Sequence, residues 1–182
     1  DINRALNKIS GINVYEEDGF GLRPNISIRG TSPERSSKIA IMEDGVLISP
    51  APYSASSAYY FPSVARMHAV EVLKGSSQIQ YGPYTTGGAI NFVSTEIPDS
   101  FKGKVVSSYG SFNTGQLHST FGNQTKNFGY MLEYLNYNSN GFKSLGNNMN
   151  TGFDINEITS KIRFKSSEKA KNKQSLEFKI HT

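Results

Sequence analysis

The chain has 182 residues, no cysteine, a formal net charge of +4, and 19% charged and 12% aromatic side chains. Lack of cysteine excludes a disulfide framework, a thiolate metal site and a thiol nucleophile, and a mild, unclustered positive charge argues against a nucleic-acid partner. No apolar run approaches the roughly eighteen residues of a membrane helix, and the opening DINRAL lacks the basic, apolar, small-residue order of a signal peptide. A mature or trimmed start is expected rather than a cytoplasmic address.

In chain order, Ile2, Leu6 and Ile9 share one face of a helix expected over residues 2 to 9, with Gly11 as its stop. Strands are expected at 12–14, 26–28, 39–43, 46–48, 69–74 and 89–94, with Asp44-Gly45 as a hairpin turn between two of them. Residues 76–81 fit one helical turn capped by Ser76. Gly82, Gly87 and Gly88, in YGPYTTGGAINFVST, permit positive φ and close backbone approach. A phosphate cradle would need a helix after it and a lysine, whereas a strand comes next, so a hinge, a packing joint or a plain turn remain.

Composition shifts at TEIPDS, residues 95–100: every proline lies at or before Pro98. Residues 1–95 hold eight Lys or Arg and eight Asp or Glu, so the whole +4 belongs to residues 96–182. Two domains are expected, 1–98 and 99–182. In the second, five segments of about ten residues alternate in character. One parity carries Phe101, Val105, Tyr109, Leu117, Phe121, Tyr130, Leu132, Tyr134, Ile158, Ile162, Phe164, Leu176, Phe178 and Ile180; the other carries Lys102, Lys104, Gln116, His118, Glu133, Glu157, Lys161, Arg163, Glu177 and Lys179. A single segment of this kind suits any half-buried antiparallel sheet. Five in succession, with aromatics near their ends, suit a transmembrane β-barrel, apolar outward and polar inward.

The stretches ISIRG (26–30), MEDGVLI (42–48), AVEVLKGSSQIQYGP (69–83) and TGGAINFVST (86–95) resemble, in order and spacing, the plug domain of TonB-dependent outer-membrane receptors. RGTSPERSS and SPAPYSAS are most similar to the ferric citrate receptor type within that family. The resemblance implies an α+β plug, a small mixed sheet with short helices, followed by the first antiparallel strands of a 22-stranded plugged barrel. Because such a barrel needs about 22 strands of ~10 residues, the chain is expected to be a fragment. The resemblance further implies a bacterial outer-membrane location, uptake of a ferric chelate or siderophore energised by TonB, whose box would precede residue 1, and contact with outer-membrane lipid. It implies no resident cofactor, iron being present only within the cargo.

Site residues are implied by the same resemblance. The outward plug loops, 15–22 and 49–60, offer Tyr15, Glu16, Phe20, Tyr53, Tyr59 and Tyr60 for a bulky chelate, and Arg35 for an anionic one. Glu16, Glu17 and Asp18 would repel ferric citrate unless turned away. Two family arginines that pair with barrel glutamates map onto Arg29 and Lys74, the lysine keeping charge but losing bidentate geometry. Gly82, Gly87 and Gly88 join these as gating residues. Where the family has proline before a Gly-Val pair, this chain has Ser10. No enzyme is expected: His68, His118 and His181 are scattered, and no Gly-x-Ser-x-Gly occurs. Alternatives are the same receptor with other cargo (cobalamin, haem, a nickel chelate or an oligosaccharide) and a non-transporting β-rich surface module.

Overall fold

The computed structural model describes residues 2–48, 60–82, 85–144, 150–167 and 169–182. The chain divides into two compact units, Asp1–Thr95 and Glu96–Thr182, the division falling within the stretch where composition shifts.

In the first unit a short helix, α1 (Ile2–Leu6), precedes a two-stranded antiparallel ribbon of β1 (Ile12–Tyr15) and β2 (Asn25–Ile28). Next comes a four-stranded mixed sheet, built from β3 (Ile39–Glu43), β4 (Val46–Leu47), β5 (Met67–Leu73) and β6 (Gly88–Ser94) in the order β4-β3-β6-β5. β3 and β6 run parallel at its centre and the other pairs are antiparallel. Buried on both faces, β3 reads as the apolar run Ile39-Ala40-Ile41-Met42. One face supplies Ile39, Ile41, Ile90 and Phe92 to a core shared with Ile2, Leu6, Ile26 and Ile28. The opposite face packs Ala40, Met42 and Ala89 with Leu73 and Tyr81.

α1 is shorter than the expected 2–9, because the chain tightens where the Ile9 amide donates to the Leu6 carbonyl at 2.9 Å and then reverses at Gly11, φ +78°. Asp44 and Gly45 take φ of 50° and 80°, the paired left-handed geometry of a tight hairpin between β3 and β4. Residues 76–81 form a 3-10 turn, but Ser76 does not cap it. Gly75 holds that position at φ +107° and no side chain closes the end.

The second unit is one antiparallel sheet in which β7 (Lys102–Gly110), β8 (Thr114–Gln124), β9 (Phe128–Ser139), β10 (Phe153–Lys165) and β11 (Ser175–His181) pair strictly with their chain neighbours. The pairing brings the alternating side chains of all five segments into common rows. Phe121 lies opposite Leu132, Tyr134 opposite Ile158, Ile162 opposite both Tyr130 and Phe178, and Phe164 opposite Phe128 and Leu176. These apolar residues form one continuous face, and it is exposed: Tyr109 retains 78% and Ile180 67% of its accessible surface. Exposure is inverted relative to a water-soluble sheet, since the opposite face buries Glu133, Thr159 and Lys161. That face is not uniformly charged, because Met131 and Leu135 lie on it and are almost fully buried. No helix among the described residues is long and apolar enough to cross a membrane.

Candidate functional site

The β1–β2 ribbon is the frame on which the expected site residues are arranged. Its four pairs, from Ile12 opposite Ile28 to Tyr15 opposite Asn25, separate two ends by about 10 Å at ~3.3 Å per residue. One end carries Tyr15, the loop from residue 16 to 24, and Arg35. The other carries Arg29 and Lys74.

At the first end Asp18 organises the loop. Its Oδ1 accepts the amides of Phe20 at 2.6 Å and Gly21 at 2.8 Å, and its Oδ2 accepts those of Leu22 at 3.1 Å and Arg23 at 2.9 Å. Four converging N–H dipoles hold the carboxylate charge within the loop. Asn25 ties this loop to the next segment: its side-chain amide donates to Glu17 at 2.7 Å, while its Oδ1 accepts the Arg35 backbone amide at 2.8 Å. Arg35 and Ser36 adopt φ of 49° and 54°; the Arg35 side chain is exposed, and the buried Ser36 hydroxyl accepts the Ile26 amide. Tyr15, Glu17 and Arg35 are thereby gathered around Asn25. Tyr15 and Glu16 are exposed and Phe20 is half-buried. Of the three acids expected to repel an anion, Asp18 and Glu17 are engaged in these internal hydrogen bonds.

At the second end Arg29 and Gly30, φ 57° and 75°, form a tight turn in which the Thr31 amide reaches the Ile28 carbonyl at 3.3 Å. The Arg29 amide donates to the Gly11 carbonyl at 2.8 Å, and the Lys74 Nζ donates to the Ser10 carbonyl. Two residues distant in sequence are thus anchored on successive peptide groups, and Ser10, standing where the family pattern has proline, is the site of one anchor.

The glycines divide by role. A Cβ on Gly88, at φ +152°, would lie 2.8 Å from both Ile28 Cδ1 and the Leu73 carbonyl, and one on Gly87 would lie 2.9 Å from Thr31 Oγ1. Gly87 is not at positive φ; of the two properties expected of these glycines, it is close approach that accounts for its small size. Gly82 is at φ +102°, with only Leu47 nearby at 3.8 Å. Gly87 and Gly88 therefore sit in a tight joint between β2, β3 and β5.

Tyr60 is half-buried, and its hydroxyl lies in an interior cluster. Arg66, fully buried, makes a bidentate pair with Glu43 at 2.6 and 2.9 Å, and the Tyr60 hydroxyl receives Arg66 Nη2 at 2.5 Å while donating to Glu43 at 3.0 Å. Beside it, Asp44 accepts the Ser94 amide at 2.8 Å and the Ser94 hydroxyl at 2.5 Å. Tyr53 and Tyr59 lie outside the described residues. Sequence reasoning missed Arg66, Glu43, Asn25 and the organising role of Asp18. For Asp18 a signal existed in Asp-Gly-Phe-Gly, an acid followed by a glycine-bearing turn. In the second unit His118 Nε2 meets Glu133 Oε1 at 2.8 Å on the buried face. Among the described residues no three His, Asp or Glu side chains gather as a metal site.

Residues 1–89 match the family described as TonB-dependent Receptor Plug Domain, so the first unit is a plug of that family, and antiparallel strands follow it. Its fold is similar to that of the ferric citrate transporter FecA in the unliganded form, at 24% identity and a TM-score of 0.71 over 98% of this chain and 28% of that one. It is also similar to the siderophore receptor PirA from Acinetobacter baumannii (18%, TM-score 0.69, 100% and 28%) and the ferric yersiniabactin uptake receptor FyuA from Yersinia pestis (17%, TM-score 0.65, 89% and 26%). The chain thus spans little more than a quarter of the length of the solved chains it matches.

Proposed function

We propose that the chain is the plug, residues 1–98, and the first wall strands, residues 99–182, of an outer-membrane receptor that takes up a ferric chelate with energy from TonB. One observation carries the reading: a plug-family domain is followed by a sheet that exposes its apolar side chains and buries Glu133, Thr159 and Lys161 on the opposite face. Water disfavours that pattern and a lipid-embedded wall requires it. The same inversion weighs against a secreted surface module, which would wet its charged face.

In this reading iron is cargo, no resident cofactor or nucleic acid takes part, and the protein performs no catalysis. The ligand end of the plug is the Tyr15, Phe20 and Arg35 end of the ribbon. With Asp18 and Glu17 held by internal hydrogen bonds, Arg35 is placed to attract an anionic chelate such as ferric citrate, and Tyr15 presents a ring to a bulky one. Arg29 and Lys74, at the far end, are positioned to meet carboxylates of wall strands, and the ribbon is the mechanical link between the two ends. Ligand contact at residues 15–24 would be felt at Ser10 and Gly11 through four rigid residue pairs.

Titration calorimetry of the receptor at its native length tests the cargo, using iron loaded on citrate and on several siderophores, with iron-free chelators as controls. Saturable heat with a ferric chelate and none with the free chelator is expected. Heat only with cobalamin, haem, a nickel chelate or an oligosaccharide would move the assignment to that cargo.

A further inference from the structure

The second unit carries its charge at one end. The turns from residue 125 to 127 and from 166 to 174 join strands at the end of the sheet where β7 begins, and with Lys165 they bring together Lys126, Lys165, Lys169, Lys171 and Lys173, all exposed; in sequence these turns hold one acid, Glu168, and Glu96 and Asp99 precede β7. At the opposite end, in the turn at Ser111–Asn113 and the stretch between β9 and β10, the charges are Lys143 and, at the start of β10, Asp154, which cancel. Lys126, Lys165 and Lys173 line a shallow basin of about 410 Å³ together with the hydroxyl-bearing Thr125, Ser166 and Ser175. The turns are firmly built: the Ser166 amide donates to the Gln174 carbonyl at 2.8 Å, and the Lys165 amide to the Asn127 carbonyl at 2.8 Å.

The exposed apolar face ends at this basin. Its last row is Phe128, Phe164 and Leu176, directly opposite one another on three adjacent strands, with the two rings 5.5 Å apart. Lys165 and Ser175, one residue from that row, belong to the opposite parity, while Lys126 and Lys173 stand in the turns that close this end of the sheet. We propose that this end of the sheet binds the phosphate headgroup of an anionic phospholipid, its acyl chains lying on the row of Phe128, Phe164 and Leu176 and its phosphate in the lysine basin. Ammonium groups and hydroxyls are the donors a phosphodiester needs, and turn lysines at the rim of an apolar face fit an amphiphile rather than a free ion. The inference rests on the reading of this face as membrane wall.

The test uses the receptor at its native length in nanodiscs of phosphatidylcholine, with and without phosphatidylglycerol, and reads lipid retained after delipidation by mass spectrometry. The variant replaces the five lysines by Lys126→Gln, Lys165→Gln, Lys169→Gln, Lys171→Gln and Lys173→Gln; a lighter variant, Lys126→Gln with Lys173→Gln, serves if the first fails to fold. Each lysine near an anionic surface contributes roughly fivefold in affinity. Phosphatidylglycerol is therefore expected to be retained at least about tenfold over phosphatidylcholine, with the preference lost in the lysine variants, unchanged by Lys143→Gln, and weakened by salt. Equal retention of the two lipids, a preference that survives the lysine changes, or full competition by inorganic phosphate would overturn the inference. Failure of the protein to enter phosphatidylcholine nanodiscs at all would instead overturn the wall reading beneath it.

Discussion

Arg66 shows how one side chain fixes the plug interior. With its guanidinium fully buried, its bidentate partner Glu43 and the Tyr60 hydroxyl are what make the charge tolerable. Removing one partner of such a pair leaves the other uncompensated, so Arg66→Ala should destabilise the plug by about 3–5 kcal/mol, whereas Tyr60→Phe, which deletes a hydroxyl and leaves the pair intact, should cost only about 1 kcal/mol. Urea unfolding of each variant measures both; equal losses would mean that the ion pair carries no special weight. Gly88 makes a steric counterpart. Its φ of +152° and the two 2.8 Å approaches leave no room for a methyl group, so Gly88→Ala should cost about 1–3 kcal/mol in overpacking, with backbone strain added. Gly82→Ala meets only the 3.8 Å contact with Leu47, and its cost should come from positive φ alone. A larger loss at Gly82 than at Gly88 would contradict the packing-joint account.

Among the elements, the loop between β1 and β2 and the five-stranded sheet differ in how far sequence discloses them. The sheet was legible because its information is periodic: alternating parity over β7 to β11 selects one register, and a slip of one residue would exchange Phe121, Leu132 and Ile158 for polar neighbours such as Thr120, Glu133 and Thr159. The plug strands were legible for a related reason, since Ile39 to Met42 and Ala89 to Phe92 are apolar runs between turn residues. Side-chain pairings were not legible. Nothing near Arg66 in the sequence points to Glu43, and Lys74 meets Ser10 across a separation that only the fold closes. Likewise α1 ended early because tertiary packing of Ile9 and the turn at Gly11 overrode its helical spacing. Within the loop, Asp18→Ala would free four amides at once, so hydrogen exchange of Phe20, Gly21, Leu22 and Arg23 should accelerate together while β1 and β2 stay protected. Unchanged exchange would show that the loop is held by something other than this carboxylate. In the sheet, Leu132→Arg places a charge on the apolar face and should cost about 2–4 kcal/mol of stability in a bilayer if that residue lies near mid-depth. Folding titrations in lipid vesicles give the value, and a neutral outcome would remove Leu132 from the lipid-facing set.

At the scale of the whole molecule the two units place opposite demands on solvent. The first has balanced charge, eight positive and eight negative, and a closed core in which Ile2, Leu6, Ile26, Ile41, Ile90 and Phe92 are shielded. It has what a water-soluble domain requires. The second exposes a continuous apolar face and, among the described residues, ends its sheet on β7 and β11 with no further strand paired to either. Exposed apolar patches beyond a few hundred Å² and open strand edges both drive association. Residues 1–98 expressed alone should therefore be soluble and monomeric, whereas the 182-residue chain should need detergent to stay dispersed. Size-exclusion chromatography with light scattering, run with and without detergent, compares them directly. Detergent should act on the long chain alone, because it covers the face formed by Phe121, Leu132, Ile162 and Phe178 that the short one lacks. A long chain that stays monodisperse in plain buffer would require that face to be shielded by protein, and the wall assignment would then fail together with the lipid site argued from it.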